Sequence, residues 1–463
     1  MSLHRRTRAL AARFQPDRDG SALAREAQPV SAPVSAPSVA RPARRPVGET
    51  FAALRVYNFR LFWFGQLISL TGTWMQTIGQ AWLVTSISRS PLALGTVTML
   101  QFLPILLFAL FAGVIADRVP KRRFLVFTQS AAALQALVLG LLVATHVVQL
   151  WHVYILALLL GLTNAFDNPT RQAFVPEMVG RPLLANAVAL NSTLFNAARI
   201  LGPAIGGVTI ATVGLRGTFF LNAASFVPVI AALLMMKLAA LYPAPPPRDQ
   251  RMTEQLREGL SYAFRTPPVL LIVILMAFIG TFGYNFTVVL PLLARFVVHV
   301  GAVGFGLMAS AMGFGSVAAA LTLAYTRRAS ERQLMLGASF FSALLILVGL
   351  SAWYAPTLGL LVLLGYASII FTATANTRLQ LVVPDRLRGR VMSIYILLFA
   401  GSTPIGSMLL GSAANIVGVQ TAVVAFGTLC VLGVVIGAAY RGAHRDGGSR
   451  PRTPEPGRSF TGS

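Results

Sequence analysis

Gly113–Arg123 reads GVIADRVPKRR, a run with four basic residues and one acid set between two long apolar stretches. Only 11% of the chain is charged, so such a cluster marks a place where the chain leaves an apolar medium. The flanking stretches, Leu92 to Ala116 and Phe124 to Thr145, are each long enough to cross a hydrocarbon core, which takes about 20 helical residues. The cluster therefore reads as a tight turn between two membrane helices, and the rest of the chain can be placed relative to it.

Working outward, apolar stretches recur near 61–86, 91–116, 124–145, 150–168, 187–212 and 217–240, then 268–293, 302–325, 333–353, 357–377, 391–414 and 418–440. Between the two sets lies Leu241 to Thr266, with Pro243, Pro245, Pro246 and Pro247 followed by an amphipathic run, Met252 to Phe264. The expected fold is an all-α membrane protein of twelve transmembrane helices in two six-helix halves. Its expected parts are a disordered basic tail 1–58, an N-terminal half 59–240, a cytoplasmic linker 241–266 with an amphipathic helix, a C-terminal half 267–440 and a disordered tail 441–463.

Composition agrees. With 55% hydrophobic residues and a mean hydropathy of +0.69, the chain holds more apolar side chains than one soluble core can bury. The net charge of +24 is carried almost entirely by Arg, between spans or in the tails. That pattern suits an anionic lipid leaflet and not nucleic acid. Cys430 is the single cysteine, which excludes an internal disulfide and a multi-cysteine metal site. Residues 1–50 lack an apolar h-region, and the Arg5-Arg6 pair has no apolar run behind it, so no cleavable signal peptide is expected.

Basic residues flanking short loops stay in the cytoplasm. The even-to-odd loops hold most of them, whereas the opposite loops hold only Arg89, Arg216 and Arg295. Both termini are thus expected to be cytoplasmic. An internal repeat supports two halves: Thr170-Arg171, Val175-Pro176-Glu177, Gly202-Pro203 and Gly206 recur as Thr377-Arg378, Val383-Pro384-Asp385, Thr403-Pro404 and Gly406. Paired six-helix halves are the pattern of a secondary transporter with its substrate site between the halves.

Gly113, Asp117, Arg118, Lys121 and Arg122 resemble the loop 2–3 signature of the major facilitator superfamily, departing at Pro120, where that pattern has Gly. NFRLFWFGQLIS (58–69), TWMQTIGQAWLV (73–84), NAFDNPTRQAFVPEMVG (164–180) and NSTLFNAARILGPAIGG (191–207) are similar to the branch that includes the enterobactin exporter and drug-efflux proteins. Gly202, Pro203, Gly206 and Gly207 also resemble the superfamily's antiporter motif, with Ala189 and Ala198 where glycines are usual. The resemblance implies export of an amphipathic small molecule, such as a siderophore or drug-like compound, in exchange for protons. It also implies that Asp117 latches the cytoplasmic side shut.

The residues carry readings of their own. Gly113 is expected to let a neighbouring helix approach closely. Arg199 is the only basic residue well inside an apolar run, so it faces a cavity or pairs with a carbonyl or acid. Gly202-Pro203 beyond it can bend the helix. Asp167 is the only acid inside a span. With Arg171 four residues on, it reads either as a coupling carboxylate or as a structural pair, with Pro169 ending the helix. Gln66, Ser69, Thr73, Gln76 and Gln80 share one helical face, which either lines the cavity or bonds a neighbouring helix. Asn196, beside Arg199, and Trp74, Trp82, Phe282, Tyr284, Asn285 and Phe286 are further lining candidates.

No phosphate loop, metal-spaced His/Asp/Glu set or nucleophile elbow occurs, which argues against an enzyme and against ATP-driven transport. No cofactor is expected. The expected partners are a small-molecule substrate, the lipid bilayer and a proton, around a monomer in the bacterial cytoplasmic (inner) membrane. Rival readings are an uptake carrier or lipid translocator on the same fold, and a non-transporting membrane sensor.

Overall fold

Gly180 and Gly214 divide the longest helical run of the molecule. Leu150–Leu234 is helical over 85 residues except at these two positions, where φ/ψ is 69/176° and 73/177°. This conformation is essentially open only to glycine. The run thereby falls into segments 150–179, 181–213 and 215–234. The computed structural model describes residues 51–242, 252–326 and 329–446, and every regular element among them is helical.

In chain order these are α1 (Tyr57–Ile87), α2 (Pro91–Arg118), α3 (Lys121–Ala144), α4 (Leu150–Leu234, segments α4a, α4b and α4c), the linker helix α5 (Met252–Arg265), α6 (Pro267–Phe278) and α7 (Phe286–Phe296). They continue with α8 (Ala302–Thr326), α9 (Glu331–Leu350), α10 (Tyr354–Val382), α11 (Asp385–Ala400), α12 (Thr403–Val417) and α13 (Val419–Asp446). Prolines open several of them, as at Pro91, Pro267 and Pro404, where the missing N–H would have no intrahelical partner anyway. Ser330 caps α9 by accepting a hydrogen bond from the Gln333 amide at 3.1 Å. His146 and His299 end helices with φ of 58° and 55°.

Among the described residues, nine helices are long and apolar enough to cross a membrane. The sequence expectation is twelve. The nine count α4 once, although its two glycines divide it, take Pro267–Phe296 and Arg390–Val417 each as one span, and omit α1, whose polar stripe dilutes its hydropathy.

Four local expectations are corrected. Pro169 does not end a helix: α4a continues through Pro169 and Pro176 to Gly180. The Asp167–Arg171 pair straddles Pro169 and braces that turn. The stretch 268–293 is not one helix, because a π turn at Ile279–Gly283 and non-helical Tyr284 and Asn285 separate α6 from α7. The stretch 391–414 is interrupted only at Gly401 and Ser402, whose backbone stays in the helical region, between α11 and α12. At the tails, a 3-10 turn spans Ala52–Arg55, α1 begins at Tyr57 and α13 runs to Asp446; residues 1–50, 243–251 and 447–463 lie outside the described residues.

The repeat seen in the sequence has structural counterparts. Lys121 at the start of α3 pairs with Glu177 late in α4a at 2.8 Å, and Glu331 at the start of α9 pairs with Arg378 late in α10 at 3.4 Å. The same two elements of each half are tied with the charges exchanged. Gly214 and Gly418 (φ 84°, ψ 158°) occupy matching turns. The linker helix is held to the C-terminal half by Glu258 with Arg390.

Candidate functional site

The polar stripe of α1 divides between two tasks. Gln66 accepts from Arg171 Nη1 at 3.0 Å, and Ser69 donates to Gln129 Oε1 at 3.4 Å. Gln76 donates to Gln135 Oε1 at 2.9 Å and accepts from Asn222 Nδ2 at 2.6 Å. These three bind α1 to α3, α4a and α4c. Thr73 and Gln80 instead line a central cavity. Both readings of the stripe therefore hold, at different turns of one helix.

That cavity lies between the halves as two adjoining chambers of about 190 Å³ each, sharing Trp74, Thr77, Ala81 and Thr287. Together they fall within the small-molecule range of roughly 300–1,000 Å³. The first chamber adds Arg199 and Pro203 from α4b, Tyr284 and Phe286 from the break and α7, and Phe305 and Met312 from α8. The second adds Thr98 and Gln101 from α2 and Asn164, Asn168 and Arg171 from α4a. Its walls thus come from both halves. Irregular backbone at Tyr284 and Asn285 is tolerated at membrane depth because it is enclosed by protein and borders a cavity.

Asp167 is 3% exposed. Its Oδ1 accepts from Thr128 Oγ1 at 2.7 Å and Gln129 Nε2 at 2.9 Å, and its Oδ2 meets Arg171 Nη2 at 3.3 Å. Arg171 also reaches Asn168 Oδ1, so the carboxylate sits one residue behind the wall of the second chamber. The Arg199 side chain, by contrast, makes no hydrogen bond or ion pair with another described residue, and its electrostatic neighbour is the Tyr284 hydroxyl. Tyr284 donates to the Ser368 carbonyl at 2.8 Å and stacks on Phe341 at 5.2 Å.

The signature loop behaves differently from expectation in part. Lys121 binds Glu177, and Arg122 donates to the carbonyls of Leu233 and Leu234, so both tie the N-terminal half to itself. Arg118 is exposed. Gly113 has no neighbour within 4 Å of where a Cβ would stand, which corrects the expected close approach at that residue; α2 packs there through Ala112 and Ala116 instead. The Asp117 side chain lies outside the described residues.

Close approach occurs at the other end of the bundle. A Cβ on Gly207 would stand 2.8 Å from the Ala302 carbonyl oxygen and 3.2 Å from Gly306 Cα; one on Gly95 would stand 2.6 Å from the Ser407 carbonyl oxygen and 3.0 Å from Gly411 Cα. Ser90 Oγ donates to Asn415 Oδ1 at 2.8 Å, and Ser310 Oγ to the Ile200 carbonyl at 3.1 Å. Gly202 and Gly206 pack on α1 at Thr71, Trp74 and Met75. The halves are therefore joined directly at the end away from the basic loops.

Asn285 does not line the cavity. It is fully buried against Gly406 and donates to the Thr281 carbonyl at 2.7 Å. Asn196 donates to the Ser192 carbonyl of its own helix. Trp82 stacks on Phe305 and lies under Arg295, and Phe282 packs on Phe426. Sequence reading missed Thr128, Gln129, Asn164, Thr287 and Phe305; the polar pair Thr128-Gln129 in an apolar run was the available signal.

Residues 48–457 match the family described as transmembrane secretion effector. The chain is 27% identical over 378 residues to the staphyloferrin A transporter of Staphylococcus aureus, covering 80% of this chain and 94% of that protein. It is 29% identical over 391 residues to the multidrug efflux pump Tap of Mycolicibacterium fortuitum, covering 81% and 94%. It is 25% identical over 385 residues to the enterobactin exporter of Citrobacter koseri, covering 82% and 90%. In fold it is similar to a bacterial homologue of the lysosomal transporter Spinster in an inward-facing, unoccupied conformation, with a TM-score of 0.66, 15% identity and coverage of 85% and 98%. With helices from both halves walling one cavity and the matched region spanning all of the described residues, the chain belongs to the transmembrane secretion effector family of the major facilitator superfamily of membrane transporters.

Proposed function

We propose that this chain is a secondary active exporter of the inner membrane, with twelve spans and both termini cytoplasmic, moving an amphipathic siderophore or drug-like molecule by alternating access. The observation that carries this reading is the two-chamber cavity walled by both halves, together with direct half-to-half contacts at the end away from the basic loops. The joined end is the extracytoplasmic gate, and the conformation is the one open toward the basic loops. The relatives named as siderophore and drug exporters support the direction and the substrate class.

Proton exchange is the proposed driving reaction and Asp167 the coupling carboxylate, acting through Arg171 at the chamber wall. Asp117 is the proposed latch of the opposite state, and the protein works as a monomer. Inside-out vesicles supply the test: a proton gradient, acid inside, should drive substrate accumulation, and collapsing the gradient should abolish it. Accumulation in right-side-out vesicles alone would establish uptake, and ligand affinity without flux would establish a sensor.

A further inference from the structure

We propose that the cavity selects an oxyanion carried on an aromatic or apolar body, with Arg199 as the residue that makes the selection; the inference rests on reading the central cavity as the transport site. Arg199 lines the first chamber with no hydrogen-bonding or ionic partner among the described residues. No Asp or Glu lines either chamber. The other lining cation, Arg171, is already engaged by Asp167, Asn168 and Gln66.

A guanidinium at membrane depth without a counter-charge is costly, and such groups serve substrate or ion pathways. Its planar fork fits a carboxylate through two parallel N–H donors. A second unused group points the same way: the Thr287 hydroxyl, on the wall shared by both chambers, is buried and has no hydrogen-bond partner. The Tyr284 hydroxyl, in contrast, already donates to the Ser368 carbonyl. Around these groups stand Trp74, Phe286, Phe305 and Met312, an apolar wall for the body of the ligand. A cation in this chamber would face Arg199 with no acid to offset the repulsion.

The test uses three probes of matched size, 2-naphthoate, 2-naphthamide and 2-naphthylmethylamine, titrated calorimetrically into the purified full-length protein in nanodiscs. The carboxylate should bind about tenfold tighter than the amide, as a charge-assisted pair requires, and the amine more weakly than either. Arg199→Gln should bring the carboxylate-to-amide ratio to about one, Arg199→Lys should keep part of it, and Thr287→Val should weaken the carboxylate alone. The inference fails if the amine binds as well as the carboxylate, if no probe binds, or if the ratio persists in an Arg199→Gln protein that melts like the parent. The wild-type probe series decides alone if that variant does not fold. Charge selection without flux in proteoliposomes would overturn the transporter reading and leave this inference standing; flux without charge selection would do the reverse.

Discussion

Asp167 takes three donors at once, from Thr128, Gln129 and Arg171, and so holds α3 against α4a. Breaking such a buried pair by removing one charge is destabilising by about 3–5 kcal/mol when nothing replaces it. Asp167→Asn keeps the shape and loses the charge. We expect it to lower the melting temperature, to retain substrate binding and to remove the pH dependence of flux; flux with the parent's pH profile would exclude Asp167 from coupling. Lys121 and Glu177 form a second buried pair with a structural task. Lys121→Met and Glu177→Gln should each destabilise, and the double variant should recover part of the loss. A double-mutant cycle read by chemical denaturation should give a coupling of roughly 0.5–3 kcal/mol.

At the scale of elements, positive-φ glycines set where helices turn. Gly214 and Gly418 have open space around a would-be Cβ, so an alanine there is opposed by backbone conformation alone. Each substitution should cost about 1–3 kcal/mol, visible as a lower melting temperature in detergent. Gly113→Ala, at a helical position with the same open surroundings, should instead raise stability by about 0.4–1 kcal/mol. The break at Tyr284–Asn285 belongs to this scale too. It brings Tyr284, Phe286 and Thr287 into the cavity wall and buries Asn285 behind them.

For the whole molecule, the proposed alternating access makes the half-to-half contacts away from the basic loops the gate to test. Gly207 against Gly306 and Gly95 against Gly411 allow backbones to meet without intervening side chains. Gly207→Leu should prevent that contact and shift thiol accessibility toward the extracytoplasmic side. A cysteine pair replacing Ser90 and Asn415, whose side chains meet at 2.8 Å, should be bridged by a short thiol-reactive linker. Bridging should stop transport, and cleaving the linker should restore it; full transport in the bridged protein would mean that this end never opens. The buried native Cys430 is shielded from the reagent.

Composition, the basic loops and the Pro-containing repeat determined by themselves that this is a helical membrane protein with two similar halves, because hydrophobic length and charge placement are local properties that the bilayer reads directly; the transporter family came from the resemblance of its motifs. The sequence also singled out Arg199, Asp167 and the α1 stripe, since polar groups are conspicuous in an apolar run. Only the tertiary structure decided what each one does. Gln76 and Asn285 are bonded inside a half while Gln80 and Thr287 reach the cavity, and Asp167 is surrounded by donors while the Arg199 guanidinium meets no acceptor among the described residues. The same holds for Pro169, which sits inside a continuous helix with the Asp167–Arg171 pair spanning it, and for Gly113, which meets no neighbour within 4 Å. Whether a polar side chain is satisfied depends on partners tens to hundreds of residues away, such as Asn222 for Gln76, and that pairing arises only when the helices pack.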